Sequence, residues 1–461
     1  MDLRRPRALA AVAVLLAAAL TGCTGDGGRD GGGEPGAAGL RDPYFPQLGN
    51  GGYDVRHYAL TLAYEPRTGR LTGTADITAR ATQALSAFNL DLTGLTVHGA
   101  TVDGEPAAVH REGAEVTLRP KGDVRHGATF RTVVRYSGTP ATITDEEGAR
   151  EGWLRTADGA VALGEPTGST AWFPGNHHPS DKATYRVTVT VPEGLEAVSN
   201  GEPVNRRTGG GRTTFTWRSA EPMASYLATL AIGRYETRTA RTDSGIPVHT
   251  AARGNPALLA RIPELLEWEA EMFGPYPFSS AGAIVDPGLD AGYALETQNR
   301  PFFGTGTFDA STLVHEIAHQ WYGNSVSPAS WRDMWLNESF ATYAEWLYAE
   351  DFGDKPVQES FDEAFAEEEN WAFPPADPPT AADISGPPVY GRGAMVLHRV
   401  RLAVGDKAFF RVLRGWPAAH RHGNASTDDF VRYVEETAGR DLTEVWDTWL
   451  YGRGRPAGPG G

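Results

Sequence analysis

Residues 314–345 read VHEIAHQWYGNSVSPASWRDMWLNESFATYAE, and their spacing decides the fold of the second half of the chain. Val314, Ile317, Ala318 and Trp321 recur at i, i+3, i+4 and i+7, the period of a helix with one buried stripe. On that helix His315 and His319 stand four residues apart, so both imidazoles leave from one face and can share a single cation. Glu316 lies between them, where a carboxylate can take a proton from a water held by that cation. The segment NESFATYAEWLYAE reads as the next helix, and Glu338 on it, with 18 residues between it and His319, is the natural third ligand. Two imidazoles and a carboxylate leave a zinc ion one open position, the arrangement of a hydrolytic site. An HExxH run can arise by chance in a chain with 12 histidines, and it is the added Asn337-Glu338 pair that removes most of that reading.

Outward from this stretch the character stays helical. Residues 256–273 (PALLARIPELLEWEAEMF) have helical period, with Pro263 expected to kink the helix and Gly274-Pro275 to stop it. The acidic run 367–369 reads as a solvated helix face, Pro374 to Pro388 as a loop, and YGRGAMVLHRVRLAVG as a return to helix. Residues from about 50 to 240 read differently. Tyr58, Leu60, Leu62 and Tyr64 alternate with smaller or polar residues, and the turn Pro66–Gly69 leads into Leu71, Ala75, Ile77 and Ala79, a hairpin with one buried face. TFRTVVRYSG, ATYRVTVTVPEG, TTFTWRS and SYLATLAIGRYETR repeat the pattern, so a large antiparallel sandwich or saddle is expected. The chain is therefore α+β and multidomain: a β domain over 46–245, a mainly helical catalytic domain over 246–455 and a tail over 456–461.

HEIAHQWYGN followed by WLNESFATYAE resembles the gluzincin aminopeptidases, the family of aminopeptidase N and the leukotriene hydrolases, and the opening YDVRHYALTL resembles that family's N-terminal β domain. The resemblance implies a β saddle followed by a thermolysin-like catalytic domain, one zinc per chain on His315, His319 and Glu338, Glu316 as general base, and peptide substrates with a free N-terminus. Glu296, in YALETQ, stands where the family has a Gly-x-Met-Glu-Asn motif, which implies that it binds the substrate's α-ammonium; Tyr293, Leu295 and Thr297 depart from that motif. Tyr390, in PPVYGRGAMVL, matches a Tyr-x-Lys-Gly pattern with Arg392 for Lys, which implies a hydrogen bond to the oxyanion of the tetrahedral intermediate. Glu165, in ALGEPTGSTAWFPGNHHPSDKATY, aligns with a residue that also meets the substrate amine, although Gly175 and His177 stand where Cys and Asp are usual. His177 and His178 lack an acidic or Cys partner at ligand spacing, so a solvent-exposed or loop-packing role is expected rather than a second metal. Full-length relatives carry further, mostly helical, domains; this chain is expected to stop with its catalytic domain and to leave a less enclosed cleft. Two readings stay beside the aminopeptidase: a zinc endopeptidase with the same metal set, and a non-catalytic peptide-binding lipoprotein.

The N-terminus carries an address. Arg4, Arg5 and Arg7 precede an apolar run, Ala8 to Leu20, too short for a permanent membrane span, and Leu20-Thr21-Gly22-Cys23 looks like a bacterial lipobox. Cleavage of residues 1–22 and lipidation of Cys23 are expected, with 23–45 a Gly-rich tether and the protein held at the extracytoplasmic face of the cell membrane. Cys23 is the single cysteine, so no intrachain disulfide can form. The net charge of −16 and the lack of basic clusters argue against nucleic acid. No nucleotide loop, serine elbow or cysteine nucleophile competes with the zinc reading, and no obligate protein partner is evident.

Overall fold

Strands β1 (Tyr53–Glu65) and β2 (Arg70–Ala81) pair antiparallel around the turn at residues 66–69. Gly69 sits there at φ +70°, a conformation that favours glycine, and its N–H donates to Glu65 O at 2.9 Å. Tyr58, Leu60, Leu62 and Tyr64 are buried as the alternation requires. Upstream the parity changes: a bulge between Val55 and His57 puts Tyr53 and Val55 on the same buried face. The computed structural model describes residues 32–144 and 148–458; the signal segment 1–22, Cys23 and the first part of the tether lie outside the described residues.

Around this hairpin grow β3 (Thr129–Gly138), β4 (Lys182–Pro192), β5 (Glu196–Ser199), β6 (Glu202–Gly209) and β7 (Arg212–Ala224). One end of an 11-stranded sheet runs β3-β2-β1-β4-β7-β6, so β6 is its edge, while β5 is the edge of a separate 5-stranded sheet. The expectation of a purely antiparallel sheet needs correction. β1 and β4 run parallel, with Thr184 opposite His57 and Thr190 opposite Ala63. The long stretch of chain between them supplies the crossover that parallel neighbours require.

A third sheet of four strands opens the second half. β8 (Glu236–Arg241) is its edge, followed by β9 (Pro247–Ala252), β10 (Ala281–Val285) and the short strand Phe302–Phe303. The helices of this half include α1 (Ile262–Phe273), α2 (Ala310–Ala318), α3 (Trp335–Gly353) and α4 (Gly393–Val404). Pro263 does not kink α1; it occupies the first turn, where its missing N–H has no partner to lose. Nor is the acidic run a helix face: Glu367 is extended and Glu368–Trp371 form a single 3-10 turn. The tether also ends sooner than expected. Residues 34–35 pair with the strand at Leu85–Asp91, and buried Asp42 accepts hydrogen bonds from Tyr44 N, Ser330 Oγ and Trp331 N, so the segment before residue 46 is pinned by donors from both halves. One continuous hydrophobic core runs from Tyr53 to Leu450. Among the described residues no helix is long and apolar enough to cross a membrane.

Candidate active site

Asp309 caps α2 by accepting from Thr312 N at 3.0 Å, and the helix then carries His315 and Glu316 inward. Its last turn tightens just past Ala318, yet His319 N still donates to His315 O at 3.3 Å, so the two imidazoles keep helical register. The four-residue spacing therefore does what it predicts. Their Nε2 atoms face α3, where Glu338 Oε2 lies 3.3 Å from His315 Nε2 and 3.4 Å from His319 Nε2. One ligand atom from each of His315, His319 and Glu338 falls within a 4.8 Å cluster. The outward nitrogens are fixed as well: Glu345 Oε1 lies 2.7 Å from His315 Nδ1, and the Tyr322 carbonyl lies 3.0 Å from His319 Nδ1. Those contacts require Nδ1–H on both rings and leave both Nε2 lone pairs free for a metal.

Other carboxylates converge on the same point. Glu296 and Glu316 group with His319, and Glu165 and Glu296 group with Glu338, each set within the same 4.8 Å limit. Glu165 Oε2, Glu296 Oε1 and Glu316 Oε2 are buried atoms with no hydrogen-bond partner. No Lys or Arg among the described residues is ion-paired with Glu165, Glu296, Glu316 or Glu338. Burial, then the neighbouring charges of Glu296, Glu338 and Glu316, push Glu165 well above the usual carboxylate range. Burial likewise lifts Glu316 to about 8, with His315 and His319 opposing. Glu338 is the exception: against burial, His319 and His315 hold it down to about 2. Four carboxylates crowded in a dry site, with only two imidazoles and no Lys or Arg to offset them, call for cations from outside. Two imidazoles and Glu338 at ligand spacing fit zinc, and the unpartnered oxygens of Glu165 and Glu296 leave room for a second positive group.

The loop that holds Glu296 is locked from the zinc helix. Gln320 Nε2 and Asn324 Nδ2 both donate to Glu296 O, at 3.3 and 2.6 Å, while Gln320 Oε1 accepts from Asn299 N at 2.9 Å. Glu165 sits half-buried on a loop held by Glu151, whose two oxygens accept from Thr167 N, Thr167 Oγ1 and Gly168 N. Tyr390 lies in a π-helical turn, Pro388–Arg392, leading into α4, and its ring stacks on His315 at 6.0 Å between centroids and 19° between planes. Burial, followed by the fields of Glu338, Glu165 and Glu296, pushes its phenol well above the ordinary value, so it stays a hydrogen-bond donor. All seven site residues within the described part of the chain come together here; Cys23 lies outside it. His177 and His178 pack loops, but both are buried rather than exposed: His177 Nδ1 meets Ser225 Oγ and its Nε2 meets Phe173 O, each at 3.0 Å.

Sequence reasoning missed Glu345, Gln320, Asn324 and Glu151. A signal existed for Glu345, which stands seven residues beyond Glu338 and so on the same face of α3. Gln320 and Asn324 follow His319 closely in the quoted stretch, but nothing local says that they reach the Glu296 loop.

Comparison with known proteins agrees with this geometry. Residues 55–227 match the Peptidase M1 N-terminal domain, and residues 307–449 match the Peptidase family M1 domain. Aminopeptidase N of Streptomyces lividans is 28 % identical over 402 residues, covering 78 % of this chain and 46 % of that protein. Leucyl aminopeptidase of Saccharolobus solfataricus is 24 % identical over 442 residues, covering 87 % of this chain and 54 % of that protein. The chain thus spans about half the length of the curated relatives it matches. A crystal structure of an M1 zinc metallopeptidase from Deinococcus radiodurans superposes with a TM-score of 0.85 at 32 % identity, covering 91 % of this chain and 98 % of that one. A mutant of the Deinococcus protein, crystallised with a Tyr-Ser-Ala substrate, superposes with a TM-score of 0.84.

Proposed function

This chain belongs to the M1 family of zinc metallopeptidases, and we propose that it is an aminopeptidase, hydrolysing the first peptide bond of peptides that carry a free N-terminus. The observation that carries the reading is the pair Glu165 and Glu296, two carboxylates beside the metal ligands, each with a buried oxygen that has no hydrogen-bond partner and neither ion-paired with a Lys or Arg. A substrate α-ammonium supplies the missing positive charge and the missing donors together, and charge-assisted bonds of that kind fix the first peptide bond over the metal.

Bound to His315, His319 and Glu338, zinc supplies the Lewis acidity that activates water and polarises the scissile carbonyl. Glu316 takes a proton from the attacking water and hands it to the leaving amine; its buried, unpartnered Oε2 is the free acceptor for that transfer. Tyr390, held as a neutral phenol against the His315 ring, donates to the oxygen that becomes negative. Glu345 keeps the His315 tautomer and direction. The relative crystallised with a tripeptide supports peptides as the substrate class. The lipobox-like Leu20–Cys23 supports the further reading that the protein is tethered at the extracytoplasmic membrane face through a lipidated Cys23; fatty-acid labelling that vanishes in Cys23→Ala, with release of the protein from membranes, tests it.

The activity test pairs fluorogenic aminoacyl amides with their N-acetylated twins, with and without chelator, on protein lacking residues 1–23. Chelator-sensitive cleavage of the free-amine substrates alone is expected. Equal cleavage of blocked peptides overturns the amine-anchor reading in favour of an endopeptidase.

A further inference from the structure

Two π-helical turns meet at one buried side chain. Pro388–Arg392 carries Tyr390 and is closed by Gly393 N donating to Pro388 O, five residues back. Trp446–Leu450 lies far along the chain. Turns of this width are rare and recur at functional sites. Tyr390 leaves the first turn toward the metal ligands, where its ring stacks on His315. Among the described residues no hydrogen bond holds the Tyr390 side chain, so its place is set by the turn that carries it. On one side that turn rests on α3: a Cβ at Gly393 would come 2.6 Å from the Ser339 Cβ, and Ser339 follows the ligand Glu338.

Arg392 holds the turn from the other side. It stands two residues after Tyr390, a spacing at which side chains on a helical turn do not share a face. Its side chain is fully buried, with its guanidinium carbon 5.1 Å from the centre of the Trp371 ring. Nε donates to Trp449 O at 2.9 Å, Nη1 to Phe373 O at 3.3 Å, and Nη2 to Thr448 O at 3.3 Å and to Gly452 O. All four partners are carbonyls, and no carboxylate among the described residues pairs with it. Thr448 and Trp449 close a helical stretch, where carbonyls lack intrahelical donors and carry the negative end of the helix dipole, so the buried cation is offset without an acid. A lysine, which the Tyr-x-Lys-Gly pattern would put here, gathers three donors on one atom. The guanidinium instead spreads its donors over two separate segments of chain.

We propose that Arg392 is a positioning residue for the reaction: from behind the turn it ties Tyr390 to the segment 446–452 and so holds the phenol where the oxyanion forms. The inference rests on the reading of Tyr390 as the oxyanion donor. Such a donor helps the transition state only if it is in place before the charge develops. A misplacement of about 1 Å, even from a change away from the chemistry, can cost about 100-fold in rate. The segment around Trp449 thereby serves catalysis without touching substrate.

A double-mutant cycle of Arg392→Met and Tyr390→Phe tests the proposal, with steady-state kinetics on a fluorogenic aminoacyl amide and zinc content read for each protein. Tyr390→Phe should lower kcat by about 10²- to 10³-fold, the usual worth of an oxyanion donor. Arg392→Met should lower kcat and kcat/KM together by about 10- to 100-fold, with KM within about twofold and zinc retained, the mark of a contact made only in the transition state. Added to Tyr390→Phe it should cost less than about threefold more, whereas damage to the fold or the metal site costs as much in either background. Arg392→Gln, which keeps two N–H donors, runs the same cycle should Arg392→Met fail to fold. A parental kcat, a rise in KM in its place, or the same loss in both backgrounds would each overturn the clamp while leaving Tyr390 its role. A Tyr390→Phe enzyme as fast as the parent would remove Tyr390 from the chemistry and the clamp with it.

Discussion

Glu345 Oε1 lies 2.7 Å from His315 Nδ1, and the other oxygen of the same carboxylate accepts from Ser311 Oγ at 2.6 Å. The carboxylate therefore ties α3 to the start of α2 and orients one metal ligand from behind. Removing such an outer partner typically costs about 10- to 100-fold in metal affinity. Glu345→Ala is expected to lose zinc within that range, and Glu345→Gln to lose less, because its amide oxygen still accepts from Nδ1–H. Competition with a fluorescent zinc chelator measures both, and equal affinities in all three proteins would sink the idea.

Glu316 stands beside His319 but outside the set His315, His319 and Glu338, in which Glu338 Oε2 lies within 3.4 Å of both imidazoles, so ligation and proton transfer should separate cleanly. Glu316→Gln is expected to retain one zinc per chain while its turnover falls by about 10²- to 10⁴-fold, the usual worth of a positioned general base. Glu338→Ala should instead lose the metal. Metal content by mass spectrometry, read beside the rate, distinguishes the two, and a zinc-free Glu316→Gln would contradict the assignment.

Glu296→Gln and Glu165→Gln should each weaken recognition of the amine rather than the chemistry of water. For free-amine substrates kcat/KM is expected to fall by about 10- to 100-fold per carboxylate, a few kcal/mol for a charge-assisted bond. The two losses should not add, because both carboxylates would face one ammonium; burial already raises both, helped by the charge of Glu296 at Glu165 and that of Glu338 at Glu296. An unchanged preference for free-amine over acetylated substrates in either variant would remove that residue from the site.

How much of this could be read beforehand depends on how local each feature is. His315, His319 and Glu338 were legible because a helix fixes its own geometry and four residues suffice to place two imidazoles on one face. The β1–β2 hairpin was legible because alternation and a four-residue turn are also local. The parallel pairing of β1 with β4 was not, since Thr184 carries no mark that it faces His57. The early end of the tether was hidden for the same reason: Asp42 looks like any loop acid until Ser330 and Trp331 arrive from the other half. Pro263 was misread because the helical period extends back to residue 256, whereas α1 begins only at Ile262 after a 3-10 turn over Ala257–Arg261, which turns a kink into a first-turn residue.

Glu151 gives a prediction with a longer lever. It touches neither substrate nor metal, yet it accepts three hydrogen bonds from Thr167 and Gly168 and so holds the loop that places Glu165. Glu151→Gln is expected to raise KM for free-amine substrates by about 3- to 10-fold with kcat and zinc content little changed, the signature of misplaced binding rather than lost chemistry. In a double-mutant cycle with Glu165→Gln the second substitution should add almost nothing. Full additivity would show that Glu151 acts on stability alone.

A pH effect should appear far from the metal, at Asp181 in the β domain. Burial pushes its carboxyl up to about 8, although Val55 N and Asn176 Nδ2 both donate to Oδ2, at 3.2 and 2.7 Å. The unfolded chain releases the proton near its ordinary 3.8. Between those values the native state holds a proton that the unfolded state has lost, so this group's contribution to stability falls as pH rises from about 4 to 8 and is level on either side. Asp181→Asn keeps an acceptor for both donors and places an amide where Oδ1 has no partner. The variant should therefore match the parent near pH 4 and melt higher than it at pH 8.5, by up to a few kcal/mol at about 1.4 kcal/mol per pKa unit. Thermal unfolding at the two pH values, parent against variant, reads the difference directly. Equal gaps at both would mean that Asp181 is ionised in the native state throughout.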